Sequence, residues 1–397
     1  MLRQTLAFVV AAMLFSACHK DKKHEERQPA TLSVLVYIAG DNNLQSFIHN
    51  DIAQMVEGSQ TIGADCHLLL FVDAAGKRPY YVKVEKGDTV HVKTFGQELK
   101  SSDPATLTEA LQWMRQNYEA KSYGLVLWGH ADGWTIWQKD GDSSPRRAYV
   151  QDRTGGEQWM NIPDMARAIG QAMGDQRLRF IFADCCCFQS VESAYELRHS
   201  ADCIIASAAE IPGEGAPYHT VIPALFSQRD DFAQMAADAY YQQTSGGYRE
   251  PMSVVMTSQM ERLADATRTV LKQSLTHIDE GYPDVEGLIY YYDQTLFDMQ
   301  DFMLRHASPE NYAQWKSVFD QAVPHRTFVP VWMANHVPYL SAWSSDVFRD
   351  FEVTEERFGC VNMFVPQNST TKNKRQQNER ISQMQWYKAA GLDELGW

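Results

Sequence analysis

At 397 residues the chain is long enough for one large α/β domain with additions, or for two domains, and its 44 % hydrophobic and 12 % aromatic content excludes wholesale disorder. A formal net charge of −14 offers no basic stripe to release counterions from phosphates, which excludes a nucleic-acid partner. The acidity otherwise reports solubility, and it is compatible with a basic substrate.

Met1-Leu2-Arg3-Gln4 carries a positive charge, Thr5 to Phe15 is a short apolar stretch, and Ser16-Ala17 are small residues before Cys18. The run is too short to span a bilayer as a mature helix and reads as a secretory signal. It resembles a bacterial lipoprotein signal: residues 1–17 as cleaved peptide, Cys18 as the lipidated first residue, and residues 18–30 as a polar, flexible tether. The expected location is then the cell envelope, exported and lipid-anchored on an outer-membrane or periplasmic face.

From Thr31 the chain alternates strand and helix patterns. Thr31 to Gly40 is a continuous β-branched and aliphatic run, the signature of a strand buried on both faces, and His67 to Val72 is a second. Pro79 to Val84 and Thr89 to Lys93, joined through Lys86-Gly87-Asp88, predict a half-exposed hairpin. Ser102-Asp103-Pro104 starts a helix carrying Leu107, Ala110, Leu111, Met114 and Tyr118 at helical spacing. A strand over Tyr123 to Trp128 follows, then a polar loop, Lys139 to Arg147, with two adjacent arginines. A helix through Met165 to Met173, a strand over Arg179 to Ala183, a helix over Val191 to Arg198 and a strand over Cys203 to Ser207 complete an α/β alternation. Beyond about residue 230 the pattern turns helical (Phe232 to Tyr241, Met260 to Leu271, Leu288 to Met303), with one late strand at Gly359 to Pro366. The expected organisation is an α/β domain over residues 31–260 and a helical subdomain with a late strand over 261–397.

Two of these strands end in reactive side chains: Tyr123 to Trp128 runs into Gly129-His130, and Arg179 to Ala183 into Asp184-Cys185-Cys186-Cys187. Strand ends are where open α/β sheets build their sites, and a thiol beside an imidazole is the minimum apparatus of a cysteine nucleophile. The seven cysteines are no disulfide framework, being odd in number with three adjacent. Three consecutive thiols also make a poor metal site, because neighbours on an extended chain face opposite ways.

Tyr37-Ile38-Ala39-Gly40-Asp41-Asn42-Asn43-Leu44, Leu127-Trp128-Gly129-His130-Ala131-Asp132-Gly133-Trp134, Ala183-Asp184-Cys185-Cys186 and Val191 to Leu197 resemble the signature blocks of the clostripain-like cysteine peptidases. The resemblance places the chain with caspases, gingipains and legumain, and implies a caspase-like α/β/α sandwich with a mostly parallel central sheet. Aligning the Val191-Glu192 block puts the family nucleophile on Cys186, and the family histidine falls on His130. Backbone amides at Ala131 and Cys186 would hold the oxyanion. A basic residue before the scissile bond needs carboxylates in its pocket: Asp184 first by position, then Glu210 and Glu214.

Relatives are cut between the histidine and the cysteine, which makes Arg147 a candidate self-processing site. The resemblance implies no cofactor; some relatives need Ca²⁺, but no ligand cluster in this sequence demonstrates such a need. Expected partners are a peptide or protein substrate and a membrane reached through the lipid anchor, with the protein itself a monomer. Ala131 stands where the family has Gly, and Cys185 where it has Ala. Those departures keep a second reading open: a degenerate peptidase fold that binds peptides without cutting them.

Overall fold

The protein is described by a computed structural model over residues 28–138, 149–152, 158–242, 249–292, 296–332, 351–369 and 372–397. Cys18 and Arg147 lie outside these residues. In chain order the first half contains β1 (Ala30–Gly40), α1 (Ile48–Gly58), β2 (Cys66–Ala74), β3 (Tyr80–Glu85), β4 (Asp88–Thr94), α2 (Pro104–Asn117) and β5 (Ala120–Trp128). A short pair, β6 (Tyr149–Asp152) and β7 (Gln158–Met160), precedes α3 (Ile162–Met173), β8 (Phe180–Asp184), α4 (Val191–Glu196) and β9 (Cys203–Ser207). There follow α5 (Tyr218–Leu225), α6 (Phe232–Gln242), β10 (Met252–Met256), α7 (Met260–Ser274), β11 (Leu296–Asp298), α8 (Met299–His306) and α9 (Pro309–Ala322). The last elements are β12 (His325–Arg326), β13 (Asn362–Phe364), α10 (Lys372–Arg380) and α11 (Gln385–Ala389).

Among the described residues, nine strands form one sheet in the order β12-β10-β9-β8-β5-β1-β2-β3-β4. Its five central strands are parallel, and the strands added at each edge are antiparallel. β1 shows why its apolar run is continuous. Val34, Val36 and Ile38 pack into the layer holding α1, α5 and α6, while Leu35, Tyr37 and Ala39 pack into the layer holding α2, α3, α4 and α7. Each fully buried aliphatic side chain contributes about 1.5–3 kcal/mol, so a polar residue on either face would be costly. The result is the expected α/β/α sandwich.

Local signals explain several boundaries. Asp103 accepts a hydrogen bond from the Ala105 amide (2.9 Å) and caps α2, with Pro104 leading the helix. Lys86 and Gly87, at φ 42° and 91°, form the two-residue turn between β3 and β4.

The region from Leu288 to Met303 differs from its helical spacing. β11 lies within it, and α8 begins only at Met299. Asp298 Oδ1 accepts the amides of Gln300 (2.8 Å) and Asp301 (3.0 Å), and Asp301 Oδ2 accepts the Ile289 amide (2.8 Å). These side-chain bonds to backbone displace a continuous helix, and Leu288, Ile289 and Tyr291 are apolar because they are buried by tertiary contacts. The late strand β13 pairs with β11 in a separate two-stranded sheet, and β12 closes one edge of the main sheet. The apolar layer over α2 and α3 continues through α7, α8, α9 and α11, so residues before and after 260 share one core. No helix among the described residues is long and apolar enough to cross a membrane.

Candidate active site

The parallel strands β5 and β8 are paired in register, with Trp128 opposite Asp184. His130 and Cys186 each lie two residues beyond that pair, at the same height on neighbouring strand ends. The Gly129 amide donates to the Asp184 carbonyl (3.4 Å), tying the two ends together just past the ladder. Gly129 sits at φ 150°, where an added Cβ would lie 3.1 Å from the Ala39 carbonyl oxygen, so the turn to His130 requires glycine. On the other side of β5, the β1 loop reaches across, and His130 Nε2 lies 2.7 Å from Asn43 Oδ1.

The three adjacent thiols separate by burial. Cys185 and Cys187 are fully buried in the apolar layer, whereas Cys186 is half-buried and lines a pocket of about 220 Å³. Its Sγ accepts the Ile211 amide (3.4 Å) and faces the Ile211 carbonyl (3.8 Å). Burial first, and then the charge of Glu210, push the Cys186 thiol well up from its usual range; the Ile211 amide acts the other way. Cys187 holds φ 54° and its amide is spent on the Ala209 carbonyl (2.8 Å). Asn362, from β13, donates to the carbonyls of Cys187 (3.3 Å) and Ala208 (3.0 Å) and steadies this loop from behind.

Asp184 lines the same pocket and is fully buried. Its Oδ2 accepts the Ala216 amide (3.0 Å) and the Tyr218 hydroxyl (2.7 Å), and its Oδ1 accepts the Tyr240 hydroxyl (3.2 Å). Burial raises its carboxyl pKa and those three donors oppose the rise. Gly215, at φ 63°, also lines the pocket; a Cβ there would sit 2.7 Å from Asp184 Oδ2. Behind the pocket, Asp51 Oδ2 accepts the Trp128 indole (2.8 Å), and burial, reinforced by Asp184, lifts Asp51 to about 7.

Of the candidate carboxylates, Asp184 and Glu210 line the pocket, whereas Glu214 is exposed and outside the lining between its flanking Gly213 and Gly215. Sequence reasoning did not single out Glu250. It is fully buried with both carboxyl oxygens lacking a hydrogen bond, its pKa is pushed up by burial and then by Glu210, and its field reaches Cys186. Ala131 is buried and bridges Tyr149, and the positive-φ residues nearby are Gly129, Gly133 and Val150, not Ala131. Alanine therefore fits that position without left-handed strain. Among the described residues, no group of three or more His, Cys, Asp or Glu side chains is arranged to hold a metal ion.

A five-stranded parallel core flanked by helices, with an imidazole and a thiol at adjacent strand ends, is the architecture of the caspase-like cysteine peptidases. A profile of the Clostripain family matches residues 36–379, and the chain belongs to that family. Clostripain of Hathewaya histolytica is 24 % identical over 237 residues, a span of 50 % of this chain and 43 % of that protein, less than half of the relative's length. A secreted C11 cysteine protease from Bacteroides thetaiotaomicron, solved in complex with an irreversible peptide inhibitor, is 28 % identical with a TM-score of 0.75, covering 92 % of this chain and 99 % of its own. An inactive zymogen C11 protease from Parabacteroides distasonis is 25 % identical with a TM-score of 0.72, covering 91 % and 99 %.

Proposed function

We propose that this protein is a cysteine endopeptidase in which His130 and Cys186 form the reacting dyad and Asp184 selects a basic residue before the scissile bond. The observation that carries the reading is the in-register Trp128–Asp184 pair, which sets both reacting groups and the carboxylate around one pocket. His130 takes the proton from Cys186 Sγ as sulfur attacks the peptide carbonyl carbon. The resulting oxyanion is held by the amides of Cys186 and Ala131. His130 then gives its proton to the leaving amine, leaving a thioester on Cys186. A water, deprotonated by His130, hydrolyses the thioester and returns the thiol.

A guanidinium or ammonium in the pocket supplies Asp184 with the counter-charge that burial denies it, and Glu210 adds to the negative field. Entry of the cation also offsets the Glu210 charge, which adds to burial in pushing the thiol pKa up. One chain carries the whole site, so a monomer suffices. Maturation by cleavage after Arg147, tethering through a lipidated Cys18 and action in the cell envelope belong to the same proposal. N-terminal sequencing of an active preparation tests the cleavage: a single intact chain with full activity sinks it.

Fluorogenic Arg and Lys peptides, offered to wild type, Cys186→Ala and His130→Ala, test the dyad. Turnover is expected to fall at least about 10³-fold in both variants; undiminished turnover in either refutes it. A second reading, a peptide-binding protein without catalysis, is favoured by the raised thiol pKa of Cys186. It wins if wild type neither turns over these peptides nor is labelled at Cys186 by an Arg or Lys acyloxymethyl ketone.

A further inference from the structure

We infer that Asn43 is the residue that orients His130 and fixes which ring nitrogen receives the thiol proton. This rests on the peptidase reading above and assigns a role that the His130–Cys186 dyad leaves unfilled. The loop after β1 is built to hold one side chain in place. Asn42 is buried; its Nδ2 donates to the Ala39 carbonyl (3.0 Å), and its Oδ1 accepts the Leu44 amide (2.9 Å). The Phe47 amide closes on the Leu44 carbonyl (2.9 Å), so the turn is pinned on both sides of Asn43. Asn43 itself is exposed, and its Oδ1 stands 2.7 Å from His130 Nε2.

An amide oxygen only accepts hydrogen bonds, so this contact requires hydrogen on Nε2. In the neutral ring the lone pair is then on Nδ1, which becomes the nitrogen that takes a proton from Cys186 and later hands it to the leaving amine. The same Oδ1 stays bonded when the ring becomes imidazolium, so the contact persists through both proton transfers. A reversed amide would offer N–H to Nε2, and that bond would be lost each time the ring charged. His130 follows Gly129, a position of left-handed backbone, and the short Asn43 contact restricts rotation of the ring.

The test uses the full chain with Asn43→Ala and Asn43→Asp. Because Asn43 is exposed, both variants are expected to fold. Asn43→Ala should lower kcat about 10- to 100-fold with KM within about twofold. Asn43→Asp, which keeps an acceptor oxygen, should recover kcat to within a few-fold of wild type. Long-range ¹H–¹⁵N spectra should show neutral His130 as the Nε2–H tautomer, in a Cys186→Ala background that removes turnover, and a tautomer mixture once Asn43→Ala is added. Wild-type kcat in Asn43→Ala, or an unchanged tautomer there, overturns the assignment. The spectra need no catalysis, so an inactive wild type with an Asn43-dependent tautomer would refute the peptidase reading and leave the orientation standing.

Discussion

The two strand ends that carry His130 and Cys186 are built differently. At the β8 end, Cys186 is enclosed. Its sulfur meets both polar groups of Ile211, the next amide is committed to Ala209, Asn362 braces the loop, and three donors fix Asp184 two residues upstream. At the β5 end, His130 is half-buried, follows a glycine in left-handed backbone, and meets Asn43 Oδ1 and the Trp159 ring. The thiol is thus enclosed in an environment that disfavours its ionised form, while the imidazole is half-buried at the pocket edge. Under the proposed mechanism a substrate cation changes the first environment more than the second, which would put discrimination at the thiol end and proton traffic at the imidazole end.

Substitutions can sharpen or break that contrast. The largest effect is expected from Asp184→Asn, which keeps the shape of the thiol end but removes its charge: kcat/KM for Arg and Lys peptides should fall about 10²-fold, and for uncharged residues at the same position barely at all. Equal losses on both substrate sets would make Asp184 a structural residue. Gly215→Ala comes next, at about tenfold on Arg peptides, because its Cβ would press on Asp184 Oδ2 from a left-handed residue; an unaffected enzyme would mean that the loop yields.

Asp51→Asn tests the buried charge behind the pocket. Asp51 holds its proton up to about 7 when folded, against an ordinary value of 3.8, so the folded state binds that proton more tightly than the unfolded chain. The wild type therefore loses stability from this group as pH rises from about 4 to 7. The variant, which still accepts the Trp128 indole, should gain about 1–2 kcal/mol at pH 8 and nearly nothing at pH 4, read from urea midpoints. No difference between the two pH values would show that Asp51 is not held neutral. The smallest effect is expected at the imidazole end: Ala131→Gly should alter kcat/KM less than about threefold, since Ala131 is not in left-handed backbone. A tenfold change would mean that this end is as constrained as the other.

Much of the frame was legible because buried parallel strands leave an unambiguous trace. β1, β5 and β8 are apolar on both faces, and the α2 start carries both Asp103 and Pro104. The choice of Cys186 came from the family block that follows it; Cys185 and Cys187 both turn into the core beyond the end of β8, with Cys187 in left-handed backbone. α1 and α5 were not visible, since Phe47 and Pro217 occupy their N-caps and neither makes a side-chain cap bond. Nor were the supports of the site. Tyr218 on α5, Tyr240 on α6 and Gly215 in the loop before α5 reach Asp184 from 31 to 56 residues away, and no local pattern aims them at it. The same loop gave no sign that Glu210 would turn toward the pocket and Glu214 toward solvent.

Asn362 sets the order in which this molecule becomes dangerous. The Cys187 carbonyl, just past Cys186, is held by a residue 175 positions later, and α4 is tied further along by Glu192 to the Phe364 amide (2.8 Å) and by Glu196 to the Gln385 amide (3.1 Å). Closing a loop of that length costs about 4–5 kcal/mol of chain entropy before any contact repays it. A polypeptide emerging from its N-terminus carries His130 and Cys186 long before Asn362 arrives to brace the loop after Cys186. If the proposed dyad holds, a nascent chain carries its blade unset.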